Sequence, residues 1–459
     1  MKTSIIILTY NELALTKQCL NSIHKHTNVD DIELIIVDNG STDGTVDYLK
    51  SLEKVQTIFN GKNLGFAKGC NQGVEVATGE NILFLNNDTI VTKNWLQSML
   101  KVLYKSEKVG MVGPVSNYVS GHQKIDVPYQ TINEIDIFAS EYCKENLEKT
   151  RQVLRLVGFC LLVKRDLIIK IGSFDERYEY GSFEDDDLCL RALQHGYELY
   201  IALDAFIHHH GHATFTGNQD IDINYLYLRN QQHFIDKWDI DLNYYMHPRY
   251  EIVQLVPMEA GKILDVGCGA GATGLELKNR QSCQLFGIEL NPLAASFAKS
   301  HYQAVYEEDV EPLELALPDG YFDVILFADI LEHLKDPGKV IQKYAQLLKP
   351  GGSMICSIPN ILHAEALFPL LQGYWNYQNA GILDRTHLRF FTPNTVETLF
   401  PSDMFEIRTK KYNYIEVDPK VALFFNEVSH LAQKFDFSMN QLSDQIKIYQ
   451  IIMHVIRKA

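Results

Sequence analysis

Two acidic stretches, a cluster of histidines and a glycine-rich turn carry the residue types and spacings in this chain that could do chemistry. At residues 81 to 91 the run "NILFLNNDTIV" passes from apolar residues into Asn86, Asn87 and Asp88. A carboxylate at the end of a buried strand can anchor a hard cation, which takes oxygen ligands. Four acids stand together from Glu184 to Asp187, ahead of a helical stretch. A helix dipole favours acids there with no catalytic role, and one of them could equally act as a general base. "IHHHGHAT" (207 to 214) places four histidines, His208, His209, His210 and His212, in five positions. Such clusters suit metal binding, although the lack of cysteines or a spaced Cys/His pair weakens a zinc reading. "KILDVGCGAGATG" (262 to 274) reads as a strand, a glycine loop and a helix start, and Glu289 ends the next strand. This is nearly the fingerprint G-x-G-x-x-G, so dinucleotide binding is a rival to be weighed.

These groups need strand ends to hold them, and the sequence supplies two sets. Short apolar runs alternate with amphipathic stretches, first at 4 to 8, 33 to 38 and 80 to 85, then at 262 to 267, 283 to 289, 322 to 328 and 351 to 359. That pattern predicts an α/β chain of strand-helix-strand units in mainly parallel sheets. A length of 459 residues suits two domains, here divided as 1–245 and 246–459 at a polar-aromatic segment broken by Pro248. The tail from Val417 reads as one or two helices packed on the second domain. No internal repeat is visible.

The formal net charge of -16 repels nucleic acid and anionic membrane surfaces as a whole-molecule effect, so no nucleic-acid partner is expected. Eight scattered cysteines without a C-x-x-C pair suit thiols in a reducing compartment, which predicts a cytoplasmic protein. The apolar run in "MKTSIIILTYNE" is too short for a signal-peptide core, and no run of about eighteen apolar residues occurs, so no transmembrane segment is expected. Peripheral association with the inner face of the plasma membrane is compatible with that reading.

"ILTYNE", "VDNGSTDGT" (37 to 45) and "NLGFAKGCNQGVEVATGE", followed by the stretch at 81 to 91, together resemble the inverting family 2 glycosyltransferases of GT-A fold over roughly residues 1 to 240. The resemblance implies a nucleotide-sugar site built from Thr9, Asn11, Glu12, Asp38, Asn63, Gly65, Asn71, Asn86 and Asn87. It implies a divalent cation, Mg²⁺ or Mn²⁺, on Asp88, with His209 reaching the metal or the diphosphate and His210 as the near alternative. A leaving nucleoside diphosphate gains negative charge as the sugar bond breaks, and such a cation offsets it. The usual form of the metal motif is Asp-x-Asp, whereas Asn86-Asn87-Asp88 keeps the last acid alone. By position Asp185 corresponds to the family's general base, with Glu184 and Asp187 as supports. No covalent nucleophile is needed for an inverting displacement.

In the second half, Asp265-x-Gly267-x-Gly269-x-Gly271, Glu289, Asp309 in "EEDVEPL" and the segment "LLKPGGSMICSIPN" resemble the class I S-adenosylmethionine-dependent methyltransferases. The fold class implied is therefore two Rossmann-like domains. Glycines let backbone approach the methionine part of the cofactor, Glu289 can accept from both ribose hydroxyls, and Asp309 can accept from the adenine amino group. Asp265 would support the loop. His333 in "ADILEHLKDP" and His387 in "ILDRTHLRFFT" are candidates for a methyl-transfer base, and each also reads as an ordinary hydrogen-bonded histidine. The aromatic-polar segment "WNYQNAGILDRTHLRFFT" looks like the substrate side.

Together the resemblances imply a bifunctional enzyme of surface-polysaccharide synthesis. It would transfer a sugar, for example a deoxysugar such as rhamnose, from a nucleotide donor to a glycan or lipid-linked glycan, and would O-methylate the glycan. Two other readings stand beside it: one half catalytic with the other a binding or scaffold module, or methylation of a protein or lipid partner.

Overall fold

The structure, a computed structural model, describes residues 2–211, 223–240, 245–439 and 441–458. Contacts divide the chain into two units, Met1–Asp241 and Leu242–Ala459. The division lies just before the expected 245/246 boundary, because Tyr245 already belongs to the second unit, where its carbonyl accepts the Ala270 N–H at 3.0 Å.

In the first unit the apolar runs form β1 (Thr3–Thr9), β2 (Ile32–Asp38), β3 (Gln56–Phe59) and β4 (Asn81–Asn86), parallel in the order β3-β2-β1-β4. Ile5, Ile6 and Ile7 are all fully buried, as parallel strands covered on both faces require. Strand order reverses at β1, and the crevice beyond the carboxyl ends on either side of such a reversal is where ligands bind. Thr9, Asp38 and Asn86 are the last residues of β1, β2 and β4.

After a tight turn at Asn87-Asp88, β5 (Thr89–Val91) leaves the main layer. The sheet continues through β6 (Val109–Val115), β7 (Thr150–Val153), β8 (Cys160–Lys164) and β9 (Glu198–His209). β8 lies antiparallel between β4 and β6, and β9 runs parallel to β6. β5 pairs antiparallel with β9 in the register Thr89↔His209, which brings the Asn87-Asp88 turn beside the histidine cluster. The helix Glu184–Gln194 follows a left-handed Phe183 and carries all four acids in its first turn.

The second unit holds β10 (Lys262–Val266), β11 (Gln284–Ile288), β12 (Ala304–Tyr306), β13 (Phe322–Ala328), β14 (Leu348–Pro359), β15 (Phe405–Tyr414) and β16 (Ile448–Arg457), in the order β12-β11-β10-β13-β14-β16-β15. The first five are parallel, and β16 is antiparallel to both of its neighbours. Strand order reverses at β10, whose carboxyl end leads into the glycine loop. The expected helical tail is corrected here. Helices Pro419–Gln433 and Leu442–Gln445 do form, but the chain then returns as β16 inside the sheet, with Ile451 and Met453 fully buried. A short apolar run buried on both faces has no period that separates strand from helix. Among the described residues no helix is long and apolar enough to cross a membrane.

Candidate active sites

A cavity of about 310 Å³ opens at the carboxyl ends of the first sheet, and its walls include Thr9, Asn63, Gly65, Asn86, Asn87, Asp185 and His209. Other expected residues build this site from behind. Asp38 Oδ2 accepts the N–H groups of Gly40 (2.9 Å) and Ser41 (3.1 Å), which shapes the loop after β2 and leaves Oδ1 buried without a donor among the described residues. Asn11, at a φ of 56°, locks that loop through Oδ1, which accepts the Thr42 N–H at 2.8 Å. Glu12 caps α1 (Leu13–His26) by backbone geometry alone, with no side-chain hydrogen bond to the helix. Asn71 donates to the Phe174 carbonyl and accepts the Phe174 N–H. Asp38, Asn11, Glu12 and Asn71 are therefore not cavity walls. Asn63 Oδ1 accepts from Gly65 N and Asn39 Nδ2. Gly65 has a φ of +86°, and a Cβ there would come within 3.0 Å of the Tyr180 nitrogen, so neither the turn nor the close approach tolerates a side chain.

Asn87 is buried, and its amide donates to Thr16 Oγ1 at 3.1 Å, fixing the strand-end turn to the first helix. Asp88 is also buried, and among the described residues no N–H or O–H donates to its Oδ1. The nearest group is His209 Nε2 at 3.2 Å. His209 Nδ1 lies 2.7 Å from the Tyr118 carbonyl oxygen. A carbonyl only accepts, so Nδ1 carries a proton, and when the ring is neutral it is the lone pair of Nε2 that faces Asp88. Two electron-pair donors facing each other in a buried corner fit a shared cation. His208 and His210, the latter just past the end of β9, pack against each other with ring centroids 4.7 Å apart. His208 meets Tyr129 Oη at 2.7 Å, His210 meets Gln18 Oε1 at 2.8 Å, and burial lowers both pKa values, that of His208 to about 4. His212 lies outside the described residues.

The four acids have separate environments. Asp185 Oδ2 accepts the Gly158 N–H at 2.8 Å and Oδ1 accepts the Asp186 N–H at 2.9 Å, so its carboxylate is held in the cavity wall by two backbone donors. Glu184 also lines the cavity; burial, then the charge of Asp185, pushes its pKa well above the carboxylate range, and Oε2 has no partner among the described residues. Asp186 pairs with Arg155, while burial and then Asp185 raise its pKa to about 7. Asp187 is fully buried away from the cavity and is bonded by Arg191 (2.8 Å), Trp238 Nε1 (2.9 Å) and Lys237 (2.5 Å). Its place is structural.

A larger cavity, about 550 Å³, lies over the glycine loop of the second unit and is lined by Asp265, Gly267, Gly269, Glu289, Asp309 and His333 among the expected residues. Glu289 accepts the Gly269 N–H on one oxygen and the Asn291 N–H on the other, both at 2.8 Å, tying the loop after β10 to the end of β11. Each oxygen keeps a lone pair, and burial raises its pKa. Asp265 is buried beneath the loop and accepts from Tyr302 Oη at 2.7 Å; burial pushes its pKa up to about 7. Asp309 accepts the Glu311 N–H on Oδ1 at 2.9 Å. Gly271 does not reach the cavity: at a φ of +84° it closes the helix start, and a Cβ would meet the His301 ring at 2.5 Å. His387 is buried just behind His333, their ring centroids 4.7 Å apart.

Known proteins divide along the same line. Residues 4–172 match the family model of glycosyl transferase family 2, and residues 242–408 match a methyltransferase domain model. The chain joins a family 2 glycosyltransferase domain to a methyltransferase domain. Glycosyltransferase AglE of Haloferax volcanii is 26% identical over 208 residues, covering 44% of this chain and 64% of the relative. A ubiquinone biosynthesis O-methyltransferase of Nitrosococcus oceani is 32% identical over 160 residues, covering 33% of this chain and 66% of the relative. An uncharacterised protein of Sinorhizobium fredii is 26% identical over 239 residues, and the match spans 25% of its length. The chain thus spans between a quarter and about two-thirds of these curated relatives. Among solved structures, a mannosyltransferase of Pyrobaculum calidifontis in complex with GDP-Man and Mn²⁺ aligns at 19% identity with a TM-score of 0.38, over 52% of this chain and 63% of that one.

In the glycosyltransferase domain three further features line the cavity that no motif pointed to. Arg155 reaches it while pairing with Asp186. Tyr180, Gly181, Ser182 and Phe183 run at φ values of 61°, 118°, 79° and 73°, a strained approach to the acidic helix start. Tyr227 enters from the helix Ile223–Trp238. In the methyltransferase domain the missed pair is Arg249 and Asp329, 2.9 Å apart in the cavity wall. Asp329 directly follows β13, and a strand-end acid beside the order reversal was the signal that could have found it.

Proposed function

We propose that the glycosyltransferase domain transfers a sugar from a nucleotide donor with inversion, assisted by a divalent cation, and that the methyltransferase domain O-methylates the glycan product. The observation that carries the reading is the gathering of Asp185, Asn86 and His209 around one cavity, with Asp88 directly behind. Asp88 Oδ1 and His209 Nε2 would hold Mg²⁺ or Mn²⁺, whose charge offsets that of the departing diphosphate. Thr9, Asn63 and Gly65 receive the nucleotide in the loops that Asn11, Asp38 and Asn71 brace. Asp185 takes the proton of the acceptor hydroxyl. Its two backbone hydrogen bonds fix the direction in which the carboxylate faces the cavity, as a positioned base requires.

In the second domain S-adenosylmethionine would supply a methyl group already activated by its sulfonium. Glu289 accepts from the ribose hydroxyls, Asp309 from the adenine amino group, and Asp265 fixes the loop beneath the amino-acid end. The fusion of the two domains in one chain supports a glycan as methyl acceptor, and the O-methyltransferase among the relatives supports oxygen as the methylated atom. The donor sugar, with a deoxysugar such as rhamnose as the candidate, and a lipid-linked glycan at the inner membrane face belong to the same reading.

The test is S-adenosylhomocysteine formation by the whole chain with a bacterial glycolipid extract, with and without nucleotide sugars. Formation that depends on the sugar donor is expected. Donor-independent formation on protein or lipid would replace the glycan with one of those acceptors.

A further inference from the structure

We propose a second divalent-cation site, formed by Glu332, His333 and His387 at the edge of the methyltransferase cavity, which His333 lines with the other two behind it. One ligand atom from each of these residues lies within 4.8 Å of the others. The proposed role rests on the methyltransferase reading, whereas the ligand set stands on its own geometry.

Hydrogen bonding fixes the tautomer of both histidines. His387 Nδ1 lies 2.9 Å from the Ile382 carbonyl, which can only accept, so Nδ1 holds the proton and Nε2 is a bare lone pair. That nitrogen is 3.9 Å from Glu332 Oε1. His333 is fixed through a relay. The Thr386 hydroxyl gives its single proton to Asp384 Oδ1 at 2.6 Å, so its oxygen must accept from His333 Nδ1 at 3.0 Å. His333 is thereby left with its lone pair on Nε2. Glu332 is 1% exposed, and Oε2 has no donor among the described residues.

Three groups that only accept are thus brought together in a buried pocket, each histidine's other ring nitrogen tied down as second-shell partners tie metal ligands. A single proton on Glu332 could serve one imidazole and would leave the other unmet. A cation serves all three. Two imidazoles and one carboxylate suit Mn²⁺, Fe²⁺, Co²⁺ or Zn²⁺ more than Mg²⁺, and three protein ligands leave positions open for a substrate.

The place of the site suggests its use. Glu332 and His333 follow β13, two strands across the sheet from Glu289 at the end of β11, and His333 reaches the same cavity as Glu289. An acceptor hydroxyl bound in an open position would lose its proton more readily. Its oxygen then forms the bond to the methyl carbon, the carbon–sulfur electron pair returns to sulfur to leave a neutral thioether, and the hydroxyl proton passes to water. The chemistry fits a sugar hydroxyl, or two adjacent ones chelating the ion.

Co²⁺ is the probe. The full-length chain carrying Asp88→Ala, which removes the other cation site, is titrated with CoCl₂ and followed by visible ligand-field absorption, with S-adenosylmethionine calorimetry on the same samples. One equivalent of Co²⁺ should bind, and Glu332→Gln or His387→Gln should weaken it at least about tenfold while cofactor binding persists. Should Glu332→Gln fail to fold, Thr386→Val, which frees the His333 tautomer, is the second variant and should weaken Co²⁺ in the same direction. Absence of a Co²⁺ spectrum in the Asp88→Ala chain, or a spectrum unchanged by these substitutions, overturns the site. A Co²⁺ spectrum that depends on Glu332 and His387 in a chain that never binds S-adenosylmethionine supports the site and removes only the role assigned to it.

Discussion

His209 Nε2 lies 3.2 Å from Asp88 Oδ1 while its Nδ1 gives its proton to the Tyr118 carbonyl. Neither facing atom has a proton to share when the histidine is neutral, so a cation between them satisfies both. Asp88→Asn should lower metal-dependent diphosphate release at least about a hundredfold. Asn86→Asp, which restores a first acid at the end of β4, should leave release intact and raise the apparent affinity for Mn²⁺. Full activity in Asp88→Asn would contradict the cation site.

Asp185 and Asp187 stand two residues apart and should respond in opposite ways. Asp185→Asn should cost about a hundredfold or more in kcat with little change in thermal stability. Asp187→Ala strips the buried partner of Arg191, Lys237 and Trp238 and should cost about 3 kcal/mol or more in stability. Thermal denaturation beside a turnover assay separates the two; equal losses of activity at equal stability would mean the acids were assigned wrongly.

These acids also show what the sequence could not reveal. Consecutive residues on a helix point in different directions, and which acids were tied up depended on Arg155, about thirty residues upstream, and on Lys237 and Trp238, about fifty residues downstream. By contrast β1, β2, β4, β10, β11 and β13 were legible, because strands buried on both faces read as unbroken apolar runs with polar residues such as Asp38 and Glu289 at their ends. β16 was not legible, since its place is set by β14 and β15 rather than by any local signal. Alternation through the end of β9 sorted the histidines: His208 and His210 pack together, ring centroids 4.7 Å apart, and the His209 ring faces the Asp88 carboxylate.

Glu289 holds two backbone N–H groups and offers its remaining lone pairs to the ligand. Charge-assisted hydrogen bonds of this kind contribute about 1.5–3 kcal/mol each, so Glu289→Ala should weaken S-adenosylmethionine binding by about a hundredfold or more. Unchanged calorimetric affinity would show that the ribose is held elsewhere.

Burial raises the Asp265 pKa to about 7, against an unfolded value near 4. Between these values the folded chain holds a proton that the unfolded chain has released, so this group's contribution to stability falls as pH rises from about 4 to about 7. The α-ammonium group at the amino-acid end of the cofactor would draw Asp265 into its charged form. Affinity for S-adenosylmethionine should therefore drop below about pH 7, by up to about tenfold per unit, with proton release on binding at neutral pH. Asp265→Asn should flatten this dependence, and an affinity independent of pH in the parent chain would contradict it.

The most direct measurement of the central claim is nucleoside-diphosphate release from a panel of nucleotide sugars with Mn²⁺, with and without EDTA, in the parent chain and in Asp185→Asn. Release from at least one donor, lost with EDTA and lost in Asp185→Asn, is the expected result. No release from any donor, or release untouched by both EDTA and Asp185→Asn, would contradict a metal-assisted transferase with Asp185 as its base.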